Sequence, residues 1–258
     1  MKDVKETRSK EFLFLSGPRG RWKDFVGSLK IMLEFIKGFR YLHFVGPCMT
    51  VFGSARFEED HPYYEQARLF GRQIAQKGFT VMTGGGPGIM EAANRGAKEV
   101  NGRSVGCNIV LPKEQEPNPY LDLMVSLDHF YVRKVVLLKY SYAFIVMPGG
   151  FGTMDELFET LTLVQTNKIS DFPIVLFGTR YWKNLIEQLQ DMAYANTISA
   201  NDSSLFLVTD SIDEGMTYIL ARLKEKYGKV VEPSRPKSHW WLGEKAYLPE
   251  TKYIIRLE

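Results

Sequence analysis

Two cysteines in 258 residues leave no disulfide framework. Cys48 and Cys107 each stand in an apolar stretch, the setting of reduced thiols, and the expected compartment is the cytoplasm. Four histidines, His43, His61, His129 and His239, show no ligand spacing, so no metal site is expected. Neither sign of charge dominates. Lys plus Arg number 33 against 30 Asp plus Glu, and a net charge of +3 is too small to argue for nucleic acid. No apolar run is long enough for a membrane span, because the most apolar stretches carry Glu34, Lys37 and Arg40 or are broken by Pro47. The charged first ten residues do not read as a secretory leader. No solenoid-length repeat is visible.

What is present is the composition of a globular core, with 45% hydrophobic residues. The predicted architecture is α/β: a Rossmann-like, doubly wound parallel sheet in a single domain, with an N-terminal helical extension and a C-terminal tail. Residues 1–45 read as a loose arm followed by an amphipathic helix, 46–228 as the Rossmann-like domain, and 229–258 as the tail. In the helix, Phe25, Leu29, Met32, Ile36 and Phe39 recur at spacings of four and three, one face of a turn of 3.6 residues. That face either packs on its own domain or covers a subunit interface. Strands are predicted at Cys48–Phe52, Phe79–Met82, Ser104–Val110, Met124–Leu127, Ser141–Met147, Pro173–Phe177 and Leu205–Val208. Helices fall between them, so the sheet should be parallel with right-handed crossovers. The helix from His129 to Lys139 is apolar nearly all round and should be buried. The tail, with Trp240-Trp241 and Tyr253-Ile254-Ile255, is expected on the surface of the domain or of a partner.

Two strand–glycine–helix corners stand out. One is Met147-Pro148-Gly149-Gly150-Phe151-Gly152-Thr153-Met154-Asp155-Glu156. The other is Val81-Met82-Thr83-Gly84-Gly85-Gly86-Pro87-Gly88-Ile89-Met90-Glu91. Glycine lets a backbone pass close to a ligand. A helix that opens there offers free N–H groups and a positive dipole end to an anion such as phosphate. Two such corners suggest two walls of one nucleotide-sized cleft at the carboxyl edge of the sheet.

The stretches Thr83–Ala97 (TGGGPGIMEAANRGA) and Pro148–Glu156 (PGGFGTMDE) resemble the LONELY GUY family, often labelled lysine decarboxylase-like, over roughly Cys48 to Leu223. The resemblance implies a nucleoside 5′-monophosphate phosphoribohydrolase that works without a cofactor, usually as a homodimer. It implies a catalytic pair at Arg133 and Glu156. Gly149, Gly150, Gly152 and Thr153 would line the phosphate, and Gly84, Gly85, Gly86 and Gly88 the opposing wall. Ser54 and Glu91 are further candidate contacts. The family's Met-His before the catalytic arginine is replaced here by Phe130-Tyr131.

Each of these residues has a plainer alternative. Thr153-x-x-Glu156 fits a capping box, in which the glutamate folds back on its own helix. Arg133, in an apolar helix, needs an anionic partner that a structural acid would also supply. Ser54 fits ordinary turn duty, and Glu91 a first-turn dipole partner.

Chemically, a carboxylate can stabilise the oxocarbenium-like state of a breaking glycosidic bond or take a proton from water, and a cation can hold phosphate or assist the departing base. The competing class is a binding protein of the same fold, similar to the molybdenum-cofactor carriers, which holds a nucleotide-like group without cleaving it. A nicotinamide dehydrogenase is disfavoured: the second glycine corner only approximates the dinucleotide fingerprint, and Asn108 stands where an acidic ribose ligand would be wanted. Lysine decarboxylation would need a pyridoxal phosphate lysine, and no lysine stands in a recognisable setting for one.

Overall fold

The computed structural model describes residues 10–18, 20–111, 116–231 and 255–257. Seven strands form one parallel sheet: β1 Cys48–Phe52, β2 Thr80–Thr83, β3 Ser104–Ile109, β4 Leu123–Leu127, β5 Ser141–Val146, β6 Ile174–Phe177 and β7 Leu207–Thr209. Their order is β4-β3-β2-β1-β5-β6-β7. The chain steps outward from β1 through β2, β3 and β4, then returns to the other side of β1 with β5. Met49 is in register with Val81 on one side and Ala143 on the other. The reversal of winding therefore lies between β1 and β5, and the carboxyl ends of those strands open the crevice where this kind of sheet binds ligands. Every residue of β1, β2 and β6 is buried, as strands covered on both faces require.

Helices cover both faces. On one lie α3 Pro62–Gln76, α4 Ile89–Glu99 and α8 Ile212–Tyr227, which pack Phe70, Ala93 and Ile219 into a shared core. On the other lie α2 Arg21–Leu42, α5 Phe130–Tyr140, α6 Phe151–Gln165 and α7 Thr179–Tyr194, with Leu42, Val136, Leu157 and Trp182 at the centre of a second core. A 3₁₀ turn, Ala200–Leu205, precedes β7. Pro62 opens α3, His61 Nδ1 accepts the Tyr63 N–H at 3.2 Å, and Gly78, at φ +87°, follows its end.

α3 and α4 cross at very short range because both carry glycine at the contact. A Cβ on Gly71 would stand 1.9 Å from the Ala93 carbonyl oxygen, and one on Gly96 1.8 Å from that of Arg68. Neither neighbour can yield, since both are helical backbone. Gly71→Ala is therefore expected to destabilise the fold by ~3 kcal/mol or more, despite alanine's better helix propensity. Urea denaturation checks this, and an unchanged midpoint would disprove the close crossing.

Three expectations need correction. The arm holds a short helix, α1 Lys10–Leu15, tied to the start of α5. Lys10 pairs with Asp128 at 2.8 Å, and Glu11 Oε1 accepts the Phe130 N–H at 3.1 Å. The helix α5 is not buried all round: Val132, Val136 and Leu137 face inward, while Phe130 and Val135 are exposed, because α5 lies in an outer layer. The end of the tail is not confined to the surface. A strand β9, Ile255–Arg256, pairs antiparallel with β8, Val230–Val231, and Ile255 and Leu257 are buried in the α3/α8 core. Trp240, Trp241, Tyr253 and Ile254 lie outside the described residues.

In α2 the expected stripe divides: Phe25, Leu29, Met32 and Ile36 are exposed, while Phe39 packs against the core. Glu34, Gly38 and Leu42 are buried, and Ile31, Phe35 and Phe39 pack against the same core. Gly38 admits Val136, and Glu34 is buried because its carboxylate accepts the His129 N–H at 3.0 Å and pairs with the His129 ring. Among the described residues, no helix is long and apolar enough to cross a membrane.

Candidate active site

The carboxyl ends of β1, β2 and β5 bring three backbone corners together. At the β5–α6 corner, Met147, Pro148 and Gly149 are buried while Gly150, Phe151 and Gly152 are exposed. Gly150 is the N-cap of α6 in extended conformation, with no side chain capping it. A Cβ on Gly150 or Gly152 would meet nothing within 4 Å, so the opening turn of α6 borders open space. At Gly149 the backbone is packed tightly: a Cβ would sit 2.1 Å from Thr153 Oγ1. Tyr181 fixes the same corner by donating its hydroxyl to the Gly149 carbonyl at 2.5 Å.

This geometry decides between the two readings of Glu156. The helix begins at Phe151, so Thr153 lies inside it and donates its N–H to the Gly150 carbonyl at 3.0 Å. Thr153 is not a cap, and Glu156 does not fold back on one. Its carboxylate is instead turned into the protein, 4% exposed, with Arg133 Nη1 at 3.7 Å from Oε1. Burial pushes the Glu156 carboxyl up to about 7, against the lowering pull of Arg133 and Lys134.

Arg133 projects from α5 and connects three elements. Its Nε donates to the Cys107 carbonyl on β3 at 3.1 Å, and Nη1 approaches Glu156 on α6. Nη2 lies against Gly84, where a Cβ would come within 3.2 Å of it. The Cys107 thiol beside this pair is pushed up to about 12 by burial and is no nucleophile. Lys134, one residue on, points elsewhere and binds Asp155 at 2.7 Å and Glu159 at 2.9 Å, tying α5 to α6.

The β2–α4 corner is stiffened by a buried polar network. Gly85 and Gly88 take left-handed φ of +77° and +71°. The Gly85 N–H donates to Thr83 Oγ1 at 2.9 Å, and Thr83 in turn donates to Asn94 at 2.7 Å. The carbonyls of Gly85 and Gly86 accept from the Asn118 N–H and Nδ2, each at 3.0 Å. Gly88 lies close to Ser54, where a Cβ would come within 2.4 Å of the Ser54 carbonyl oxygen.

Ser54 links the two corners through its main chain. Its N–H donates to the Pro148 carbonyl at 2.9 Å, and its carbonyl accepts the Ile89 N–H at 3.0 Å. Its hydroxyl accepts the Arg56 N–H at 3.1 Å, a local turn. Glu91 accepts the Tyr64 hydroxyl at 3.0 Å and so points toward α3. The structure thus groups Arg133, Glu156 and Gly84 directly, with Ser54 and the Gly149–Thr153 turn adjoining. Glu91 is the candidate whose side chain is engaged outside that group. Sequence reasoning missed Asn94, although it stands within Thr83–Ala97, and also Asn118, Tyr181 and the Cys107 carbonyl, which belong to no local pattern. Among the described residues, no cluster of three or more His, Cys, Asp or Glu is arranged to hold a metal ion.

A family model described as "Possible lysine decarboxylase" matches residues 90–219. The cytokinin riboside 5′-monophosphate phosphoribohydrolase of Mycobacterium tuberculosis is 32% identical over 166 residues, covering 59% of this chain and 82% of the relative. A probable enzyme of the same name from Oryza sativa is 27% identical over 189 residues, covering 71% and 81%. Among solved structures, the molybdenum cofactor binding protein of Rippkaea orientalis superposes with a TM-score of 0.51 at 22% identity, over 69% of this chain and 98% of that one. The molybdenum cofactor carrier protein of Chlamydomonas reinhardtii gives 0.51 at 23%, with the same coverage. At such identities these two share the fold and no more. The matched span holds the helix of Arg133 and the whole of the PGGFGTMDE corner, and on it the chain belongs to the possible lysine decarboxylase family, the family of the LONELY GUY phosphoribohydrolases.

Proposed function

We propose that the protein hydrolyses the N-glycosidic bond of a nucleoside 5′-monophosphate, of purine or cytokinin type, to free base and ribose 5-phosphate. The observation that carries this is the buried pair: a carboxylate held near neutrality beside a guanidinium, at the edge where two glycine corners meet. Relatives named as phosphoribohydrolases, at about 30% identity, support the same reading.

In this scheme the 5′-phosphate sits at the opening of α6, against the backbone of Gly149, Gly150 and Gly152 and the Thr153 hydroxyl. Gly84, Gly85, Gly86 and Gly88 form the facing wall, with Ser54 and Glu91 at its border. As the bond from C1′ to the base nitrogen breaks, positive charge develops on the sugar. Ionised Glu156 stabilises it and accepts a proton from the water that adds to C1′. The base nitrogen, which leaves with the bonding pair, takes up a proton, so that Glu156 ends ionised and water is divided between sugar and base. Arg133 holds Glu156 in place and supplies positive charge to the phosphate or the departing base. The scheme uses no metal and no organic cofactor. The active form is a homodimer in this reading, and the exposed Phe151 and Phe130 near the site fit coverage by a second chain.

The test is direct. Incubation with AMP is expected to release adenine and ribose 5-phosphate, followed by chromatography. Saturable binding without release, across all the common nucleoside monophosphates, would favour a carrier and overturn the hydrolase.

A further inference from the structure

The β2–α4 corner leaves one of its own donors over. Its carbonyls at Gly85 and Gly86 are both claimed by Asn118, through the main-chain N–H and Nδ2 respectively, each at 3.0 Å. Its N–H at Gly85 is claimed by Thr83 Oγ1 at 2.9 Å. The next N–H, that of Gly86, has no hydrogen-bond partner among the described residues, although Gly86 is buried. A buried amide without a partner in the chain is rare, and water or a ligand ordinarily takes it up. We infer that the Gly86 N–H is the donor for a ribose hydroxyl, and that Asn118 is the positioning residue that aims it. The inference rests on reading the cleft as a nucleoside 5′-monophosphate site, but not on cleavage.

The direction follows from the peptide itself. The bond between Gly85 and Gly86 is trans, so its C=O and its N–H point opposite ways. Asn118, in the connection between β3 and β4, holds the C=O. The strand order puts that connection beyond β2 as seen from β1. The N–H therefore points back toward β1 and the crevice between β1 and β5.

Distance selects the part of the ligand. Arg133 Nη2 lies against Gly84 while Nη1 approaches Glu156. Gly86 is two residues from Gly84, so their Cα atoms are at most ~7 Å apart. In the proposed scheme C1′ lies at the Arg133–Glu156 pair and the phosphate at the opening of α6. What comes within reach of Gly86 is then the sugar edge next to C1′, where a hydroxyl oxygen can accept an N–H.

The clamp on Gly86 is itself braced. Asn94 Oδ1 accepts from Thr83 Oγ1 at 2.7 Å and from Asn118 Nδ2 at 3.0 Å, and Asn94 Nδ2 donates to Ser104 Oγ at 2.7 Å. Asn118 Oδ1 accepts the Tyr120 N–H at 3.2 Å. Thr83, Asn94 and Ser104 are wholly buried, and Asn118 nearly so. A buried polar network whose members are all paired holds one geometry. Both peptides that flank Gly86 are fixed by this network through their carbonyls, and the one amide between them is left out of it.

Isothermal titration with AMP, 2′-deoxy-AMP and 3′-deoxy-AMP tests the inference, on the Glu156→Gln chain so that turnover does not consume the ligand. Loss of the hydroxyl strands the amide in the complex, so one of the two deoxy ligands is expected to bind ~10-fold more weakly than AMP. Asn118→Ala in the same background should weaken AMP ~10-fold and leave that deoxy ligand nearly unchanged, so that the discrimination collapses. Asn118→Asp keeps the shape and the Tyr120 contact but turns an oxygen toward the Gly86 carbonyl and Asn94 Oδ1, both acceptors. It should lose the discrimination in the same way, with a circular dichroism spectrum like that of the natural chain.

The comparison of ligands needs no change at the corner, so it decides the donor whatever the stability of the Asn118 variants. Equal binding of AMP and both deoxy forms overturns the inference. So does an equal loss of affinity for all three ligands in both Asn118 variants, the mark of a merely structural residue. Hydroxyl-dependent binding by a natural chain that releases no adenine would sink the hydrolase and leave this donor in place. Failure of AMP to bind sinks both.

Discussion

Glu156→Gln is expected to cleave a nucleoside 5′-monophosphate ~10²–10⁴-fold more slowly than the natural chain, and to be the more stable protein above about pH 8. Both effects have one cause. The Glu156 carboxyl is buried, and burial lifts it to about 7 despite Arg133 and Lys134. A group titrating there is half ionised at neutrality, which suits a proton acceptor, so kcat/KM of the natural enzyme should fall on the acid side of about pH 7. The stability effect has the opposite sense. Between the ordinary carboxyl value of 4.5 and about 7, the folded chain keeps a proton that the unfolded chain has lost. The stability from this group is complete below the lower value and is lost as pH rises through the upper one. Glutamine carries no such loss. Relative to the natural chain it should gain at most ~3 kcal/mol between pH 4 and pH 9, measured by urea denaturation at both. Turnover equal to that of the natural chain would remove Glu156 from the chemistry, and a pH-independent stability difference would remove it from its buried setting.

Arg133→Ala should lower kcat/KM by ~10²–10³, with the fold retained. The loss combines two effects. The positive charge at the glycine corner disappears, and Glu156 loses the first of the charges that hold its carboxyl down, so less of it is ionised at neutral pH. Arg133→Lys is the sharper variant. The guanidinium donates through Nε to the Cys107 carbonyl while Nη1 reaches toward Glu156 and Nη2 rests against Gly84. A single ammonium cannot occupy all three positions, so lysine should recover little of the activity. Steady-state kinetics on AMP with both variants decides this. Full activity in Arg133→Lys would show that charge alone matters there and that the three-way contact is incidental.

Much of the fold was legible because buried parallel strands are continuous apolar runs, and β1 was bounded without error at Cys48 and Phe52. The corners were legible because three of their features are local: apolar run, glycines, helix. What failed was whatever depends on a partner distant in the chain. The Thr153-x-x-Glu156 spacing is the same whether threonine caps the helix or lies in its first turn, and only the start at Phe151 separates the two. The spacing of α2 correctly marked an apolar face but could not show that Gly38 admits Val136 of α5, or that His129 makes a buried Glu34 acceptable. With those two contacts made, Phe25, Leu29, Met32 and Ile36 face out while Phe39 packs in. Asn94 and Asn118 are 24 positions apart and meet at 3.0 Å, a relation with no periodic trace.

Ser54 commits its own amide to the wall on its right and its own carbonyl to the wall on its left. One residue thus links the two corners through its main chain, by bonds that a substitution at 54 other than proline would leave available. In the proposed reaction the spacing of the corners would already be set before a nucleotide arrived.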